Sequence, residues 1–297
     1  MTNPLDVSKL RAYHVPETRH VYGQQDTILY ALGVGAGLSD IDETSFVFED
    51  NLVALPTMAL VLGTPGFWLT DPATGLDWIN VLHGEQSLVL HRPLRAEEDI
   101  IGRTQIGELV DKGPGRAAML QCTRTLSDYV TGSLVASLKE LWVLRGAGGF
   151  GGESQSLPSL LPAMPERPAD DFLDLPTARN QAMLYRHTGD RNPLHIDPEV
   201  ASRAGFNRPI LHGLSTMGLV ARAIVHRCCG GNPALLRAIH LRFTAPVLPG
   251  DVVRTELWQS EAKRGDGQVR FRARVPDRGV TVIEGGLADT RGFAVSA

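Results

Sequence analysis

The feature that most restricts this chain of 297 residues is that it runs twice through the same order of segments, at a period of roughly 150 residues. An apolar stretch with a tyrosine in it, DTILYALGVGAG at 26–37, is matched by NQAMLYRHTGD at 180–190. LPTMALVLG at 55–63 is matched by LHGLSTMGLVA at 211–221. Residues 86–101 are matched by 240–253, with Pro93 opposite Pro246 and Asp99 opposite Asp251 after one residue of slippage. Each half then delivers Val-, Ile-, Thr- and Leu-rich runs cut by turns. In the first half these are 103–110, a DKGPG turn, 116–126 and 133–145; in the second, 252–260, a KRGDG turn, 269–275 and 280–288. Such runs read as antiparallel meanders. Each half therefore combines an early helix-forming segment with a sheet, and the apolar segment has to be buried against that sheet. The competing reading is one irregular α+β domain with a coincidental repeat.

Composition places the boundary between the halves. Glycine (31) and proline (19) are in excess, and one concentration of them is GAGGFGGESQSLPSLLPAMPERPAD at 146–170, which reads as a linker. The expected division is a first unit at 8–145, a linker at 146–172 and a second unit at 173–297. A net charge of −4 carries no global signal for nucleic acid. Cys122, Cys228 and Cys229 form no CxxC spacing, so neither a zinc site nor a disulfide scaffold is supported, and no metal or cofactor is expected. The longest apolar run, 52–62, is too short for a membrane span and contains Pro56. The start lacks the apolar core of a secretory signal and the end, AVSA, is not a peroxisomal address, so the expectation is a cytoplasmic protein without a membrane partner. The Gly-rich pieces GVGAG and GAGGFGG lack the strand–GxGxxG–helix context of a dinucleotide site.

One segment concentrates chemistry. YRHTGDRNPLHID at 185–197 packs Asp190, Asn192 and His195 into six residues around Pro193. The Asn-Pro step disfavours helix and promotes a turn, and a turn can aim a carboxylate and an imidazole into one cavity. Such a pair suits activation of a water and return of its proton. Equally, Asp190 and Asn192 could only cap the turn while His195 sits on the surface. PILHGLSTMGLVARAIV at 209–225 then reads as a turn and a buried helix, with Gly213 near its start and Ser215 and Thr216 as credible caps. A helix start offers free N–H groups that can stabilise an enolate. His212 could be a packed or capping histidine.

YRHTGDRNPLHIDP followed by AGFNRPILHG resembles the hydratase 2 motif of MaoC-like dehydratases, the (R)-specific 2-enoyl-CoA hydratases. DTILYALGVGAG, LHGEQSLVLHRPL, DKGPG and RGAGGFGG extend the resemblance to the two-domain hydratase unit of peroxisomal multifunctional enzyme type 2, over roughly residues 20–290. The resemblance implies an α+β double-hotdog fold, two antiparallel sheets each wrapped round a central helix and set side by side, in a homodimer with one active site per chain. It implies a lyase that adds water reversibly to a trans-2-enoyl-CoA to give a (3R)-3-hydroxyacyl-CoA in fatty-acid β-oxidation, the CoA thioester being substrate rather than cofactor. Asp190 and His195 are then the catalytic pair, Asn192 fixes their geometry, and the Gly213 N–H is the oxyanion donor. Arg191, Pro193, Leu194 and Phe243 would line the product site; His83, Gly84 and Lys112 would contact the ligand, Lys112 near the CoA phosphates. On their residues alone, Lys112 is as well read as a solvated turn lysine, Phe243 as core and His83–Gly84 as a turn.

The first half lacks the Asp, Asn and His, so it is expected to hold acyl chain or CoA. Gly33, Gly35, Ala36 and Gly37 are expected to disfavour a long helix there and so leave apolar room. The alternatives are a hotdog thioesterase, in which water attacks C1 rather than C3; a (3R)-hydroxyacyl dehydratase of a specialised degradative or synthetic pathway; and a non-catalytic acyl-CoA-binding protein.

Overall fold

The structure, a computed structural model, describes residues 5–151, 157, 161–259 and 267–293. Part of the expected linker, most of the KRGDG turn and the AVSA end lie outside the described residues. Among the described residues ten strands form: β1 (Thr18–Tyr22), β2 (Val81–Leu90), β3 (Glu98–Asp111), β4 (Ala118–Asp128), β5 (Leu134–Leu144), β6 (Asp171–Pro176), β7 (Ala238–Phe243), β8 (Val252–Gln259), β9 (Gln268–Val275) and β10 (Val280–Asp289). They join in a single sheet of order β1-β3-β4-β5-β2-β7-β10-β9-β8-β6. Read inward from its two edges, the sheet is the same five-strand pattern twice, so the internal repeat is a repeat of topology. The halves meet where β2 pairs antiparallel with β7, from Glu85 opposite Arg242 to Val89 opposite Ala238. The two expected side-by-side sheets are thus continuous across one hydrogen-bonded seam.

Strand alternation sets the core. Along β4, Ala118, Leu120, Cys122, Arg124 and Leu126 are buried on one face. That period-two pattern needs one covered face, and the helices supply the cover. They are α1 (Val7–Ala12), α2 (Gln24–Gly33), α3 (Gln181–Tyr185), α4 (Pro198–Arg203) and α5 (Gly213–Cys228). From Ser215 to Val225 every residue of α5 is buried, as expected of a helix enclosed on all sides. Among the described residues no helix is long and apolar enough to cross a membrane.

The two halves differ at the counterpart of α5. Pro56–Leu60 forms only a short 3-10 helix. Gly63 (φ +55°) and Gly66 (φ +81°) take left-handed backbone, and Pro65 biases Thr64 away from helix, so a helix starting at Pro56 has nowhere to continue. The expected missing helix therefore exists, but not at Gly33–Gly37. There α2 is regular for ten residues, and Gly35 (φ +87°) and Gly37 (φ +78°) merely lie beyond its end. Gly33 also lets α2 approach α3, because a Cβ there would lie 3.2 Å from the Tyr185 Cα.

A buried ion cluster ties the first half to α5. Arg222 is 1% exposed and Glu43 3%. The Arg222 guanidinium donates to both Glu43 carboxylate oxygens, at 2.8 and 2.6 Å, and to the Val34 carbonyl at 2.8 Å. Glu43 also accepts from the Gly37 N–H and bonds His226 Nε2, each at 2.9 Å. A lone arginine in the otherwise uncharged run 213–225 is the sequence trace of this cluster.

Candidate active site

The motif folds as two nested turns. Asp190 Oδ1 accepts the Asn192 N–H at 3.2 Å, and Asn192 Oδ1 accepts the Leu194 N–H at 3.0 Å. Pro193 opens a one-turn 3-10 helix, Pro193–His195, for which its fixed φ is preorganised. The bland capping reading of Asp190 and Asn192 is therefore correct as far as it goes, and the capping is what aims His195. The His195 ring is held by its own bond, Nδ1–H donating to the Ile210 carbonyl at 2.9 Å. Because a carbonyl only accepts, Nδ1 carries the hydrogen and Nε2 of the neutral ring carries the lone pair. Burial lowers the His195 pKa, opposed by the Asp190 carboxylate and the Ile210 bond, so the neutral, basic form is favoured.

Beneath His195 lies His212, fully buried, with ring centroids 3.7 Å apart and planes at 28°. His212 Nε2–H donates to the Asp190 backbone carbonyl at 3.2 Å. Ligating atoms of Asp190, His195 and His212 lie within 4.8 Å of one another. Asp190 and His195 can therefore share one water, which spans about 5.6 Å across two ordinary hydrogen bonds. A divalent ion fits the trio poorly. The ring nitrogens donate in their own planes, and nearly parallel stacked planes cannot both aim at an ion about 2 Å from each nitrogen.

Next in the chain, Gly213 is the first residue of α5, where an N–H has no intrahelical acceptor. Its lack of a side chain admits the Phe243 ring, two atoms of which would lie 3.3 Å from a Cβ at that position. Phe243 meets His83 edge-on at 5.2 Å, and His83 lies over Trp142 at 4.3 Å. Burial lowers the His83 pKa, offset by Glu140 and Asp190.

These groups open into a cavity of about 390 Å³. Of the residues singled out from sequence, Asp190, Asn192, Leu194, His195, Gly213, Phe243 and His83 line it. Gly84, Lys112, Arg191 and Pro193 do not. Arg191 is exposed. Gly84 sits at a bulge of β2, where a Cβ would press on Val143 and the Leu141 carbonyl. Lys112 lines a separate groove of about 190 Å³ with Lys139, His240 and Arg242. The first half supplies one apolar wall, Leu60, Val61, Phe67, Trp68 and Leu69, from the chain that replaces its central helix, and the second half supplies another, including Phe206, Ile210, Leu214 and Val247. Sequence reasoning missed Arg124, whose NH2 group donates to the Leu60 carbonyl at 2.6 Å and faces Glu140 at 3.6 Å. Its signal was position: a charge on the inward phase of β4.

Comparison with known proteins identifies the family. Residues 161–279 match the MaoC like domain, and residues 20–146 match the MFE-2 hydratase 2 N-terminal domain. A relative named "Enoyl-CoA hydratase 2, peroxisomal", from Arabidopsis thaliana, is 37% identical across 97% of this chain and 96% of its own. The chain belongs to the MaoC-like hydratase 2 family. A Mycobacterium tuberculosis member, "3-hydroxyacyl-thioester dehydratase Y", is 40% identical over 84% of this chain and 85% of its own. The crystal structure of a MaoC-like dehydratase from Phytophthora capsici superposes with a TM-score of 0.81 at 32% identity, covering 99% of this chain and all of that one. The fold is the double hotdog of this hydratase 2 family, and the segment that resembles the hydratase 2 motif lies in the second repeat.

Proposed function

We propose that this chain is an (R)-specific 2-enoyl-CoA hydratase of fatty-acid β-oxidation, and that Asp190 and His195 carry its reaction. The observation that carries the assignment to these residues is the placement of a carboxylate and an imidazole with ligating atoms within 4.8 Å of each other, the imidazole's Nδ1 tied to the Ile210 carbonyl so that Nε2 carries the lone pair, beside the open N–H at the start of α5. A water held between Asp190 and His195 loses a proton to Nε2 as its oxygen bonds C3 of the enoyl chain. The C2=C3 electron pair shifts towards the thioester oxygen, where the Gly213 N–H stabilises the enolate. The proton returns to C2, so one water is consumed and atoms balance. Dehydration is the same path reversed. Asn192 acts by holding the turn. The same cavity could present water to the thioester carbon, and a direct assay separates the two: loss of the conjugated enoyl absorbance without free thiol is hydration, whereas free thiol is hydrolysis and would reject this reading.

The division of labour follows the repeat. The first half's apolar wall houses the acyl chain, so acyl groups of ten or more carbons are expected to react. Rates that peak sharply at four carbons and vanish by ten would contradict that assignment. The CoA phosphates are the anionic part of the substrate, and Lys112 and Lys139 line the second groove together with Arg242, which is paired with Glu85. Lys112→Ala is expected to raise KM severalfold with little change in kcat, and an unchanged KM would exclude Lys112 from CoA binding. The assembly that goes with this reading is a homodimer, checked by light scattering for twice the 32.2 kDa chain mass.

A further inference from the structure

His212 gives no surface to solvent, yet it contacts the reacting set from below. It directly precedes Gly213, takes up the Asp190 carbonyl through Nε2–H at 3.2 Å, and stacks on His195 at 3.7 Å. The Tyr185 ring packs on it at 4.9 Å. Because Nε2 is the donor, Nδ1 of the neutral ring carries a lone pair, and that nitrogen is buried with no partner. Folds normally avoid an unmatched buried acceptor, so its presence here needs a reason. A flat π surface held parallel to His195 supplies one.

We propose that His212 is a positioning residue for hydration: its imidazole fixes the ring plane of His195 and stabilises the positive charge His195 acquires while it holds the water's proton. The face of an aromatic ring attracts a cation stacked on it. The platform works only if His212 does not take the proton itself. Its surroundings enforce this: burial first, then His195 and Arg186, hold its pKa well below the ordinary value, and the bond to the Asp190 carbonyl only partly offsets them. The groups facing His195 are Asp190 and His212, with the Ile210 carbonyl on Nδ1. The inference rests on the hydratase reading above.

The test compares pH profiles of wild type, His212→Phe and His212→Asn during hydration of one trans-2-enoyl-CoA. Phe keeps the ring face and loses the donor; Asn keeps a donor and loses the face. For His212→Asn the expected result is a kcat at least about tenfold lower with KM within about threefold. Its acid limb should move to lower pH by about half a unit or more, because the protonated His195 has lost its support. His212→Phe should keep the acid limb in place. A wild-type limb and kcat in His212→Asn, or identical shifts in both variants, would overturn the proposal. Nitrogen-15 NMR of the wild type tests it without a variant: His212 should stay the neutral Nε2–H tautomer while His195 titrates, and protonation of His212 at or above the pH at which His195 protonates would also overturn it. Absence of hydration by the wild type would instead reject the hydratase reading, and the NMR arm would still decide the role of His212 as a neutral platform.

Discussion

Asp190→Asn or His195→Gln is expected to lower kcat by at least about a hundredfold while the protein stays folded, since a positioned acid–base group typically supplies 10²–10⁴. The fold should persist because neither change removes a bond that a substitute cannot make. The amide that replaces the Asp190 carboxylate retains an oxygen for the Asn192 N–H. The glutamine side chain that replaces His195 is smaller than the imidazole and lies beside an open cavity. The two losses should not multiply in the double variant, because both groups act on one water and removing either disables the unit. Steady-state kinetics with far-UV circular dichroism checks both points. Full activity in both single variants would remove the pair from the mechanism. A loss confined to KM would make them binding groups.

The largest expected effect on stability lies away from the chemistry. Arg222→Met leaves Glu43 buried and without its guanidinium, and breaking such a pair from one side costs about 3–5 kcal/mol. For a chain of this size that corresponds to a fall in Tm of about 5–8 °C, readable by calorimetry. Burial alone would raise the Glu43 pKa, but bonds from His226, Arg222 and Gly37 outweigh it and hold the carboxyl at about 2. The sign follows from linkage. A carboxyl depressed in the folded state stabilises the fold above its unfolded pKa of about 4.3 and ceases to do so as pH falls towards 2. The wild type should therefore lose stability over that acid interval, and Glu43→Gln should lose less of its own over the same interval. Equal acid sensitivity in the two proteins would assign acid unfolding to other carboxylates.

Much of this architecture was legible because strand alternation and turn residues are local. The runs 103–110, 116–126, 133–145, 269–275 and 280–288 fall within or beside β3, β4, β5, β9 and β10. The edge strands β1 and β6, five and six residues long, carry too short a pattern to stand out. The seam between β2 and β7 was not legible, since pairing between strands so far apart in the chain, Glu85 with Arg242 to Val89 with Ala238, leaves no local mark. The missing central helix was expected from the glycines at 33–37, yet Pro56, Gly63, Pro65 and Gly66 cause it. A glycine cluster at a helix end signals a cap as readily as a break. In the site, turn chemistry alone left Asp190 and Asn192 readable as plain caps, and the resemblance of the motif made them, with His195, the expected site. Arg124 and Glu43 were hidden, and His212 was read only as a packed or capping residue, because each acts through a neighbour supplied by another part of the chain.

The central claim is that one Asp–His pair in one cavity adds water to C3 from a single face. Chiral analysis of the 3-hydroxyacyl-CoA formed from a ten-carbon trans-2-enoyl-CoA tests it most directly, with Asp190→Asn run in parallel. The account predicts the (3R) product, no free thiol, and formation at least about a hundredfold slower in the variant. A (3S) or racemic product, thiol release, or equal rates in the two proteins would contradict it.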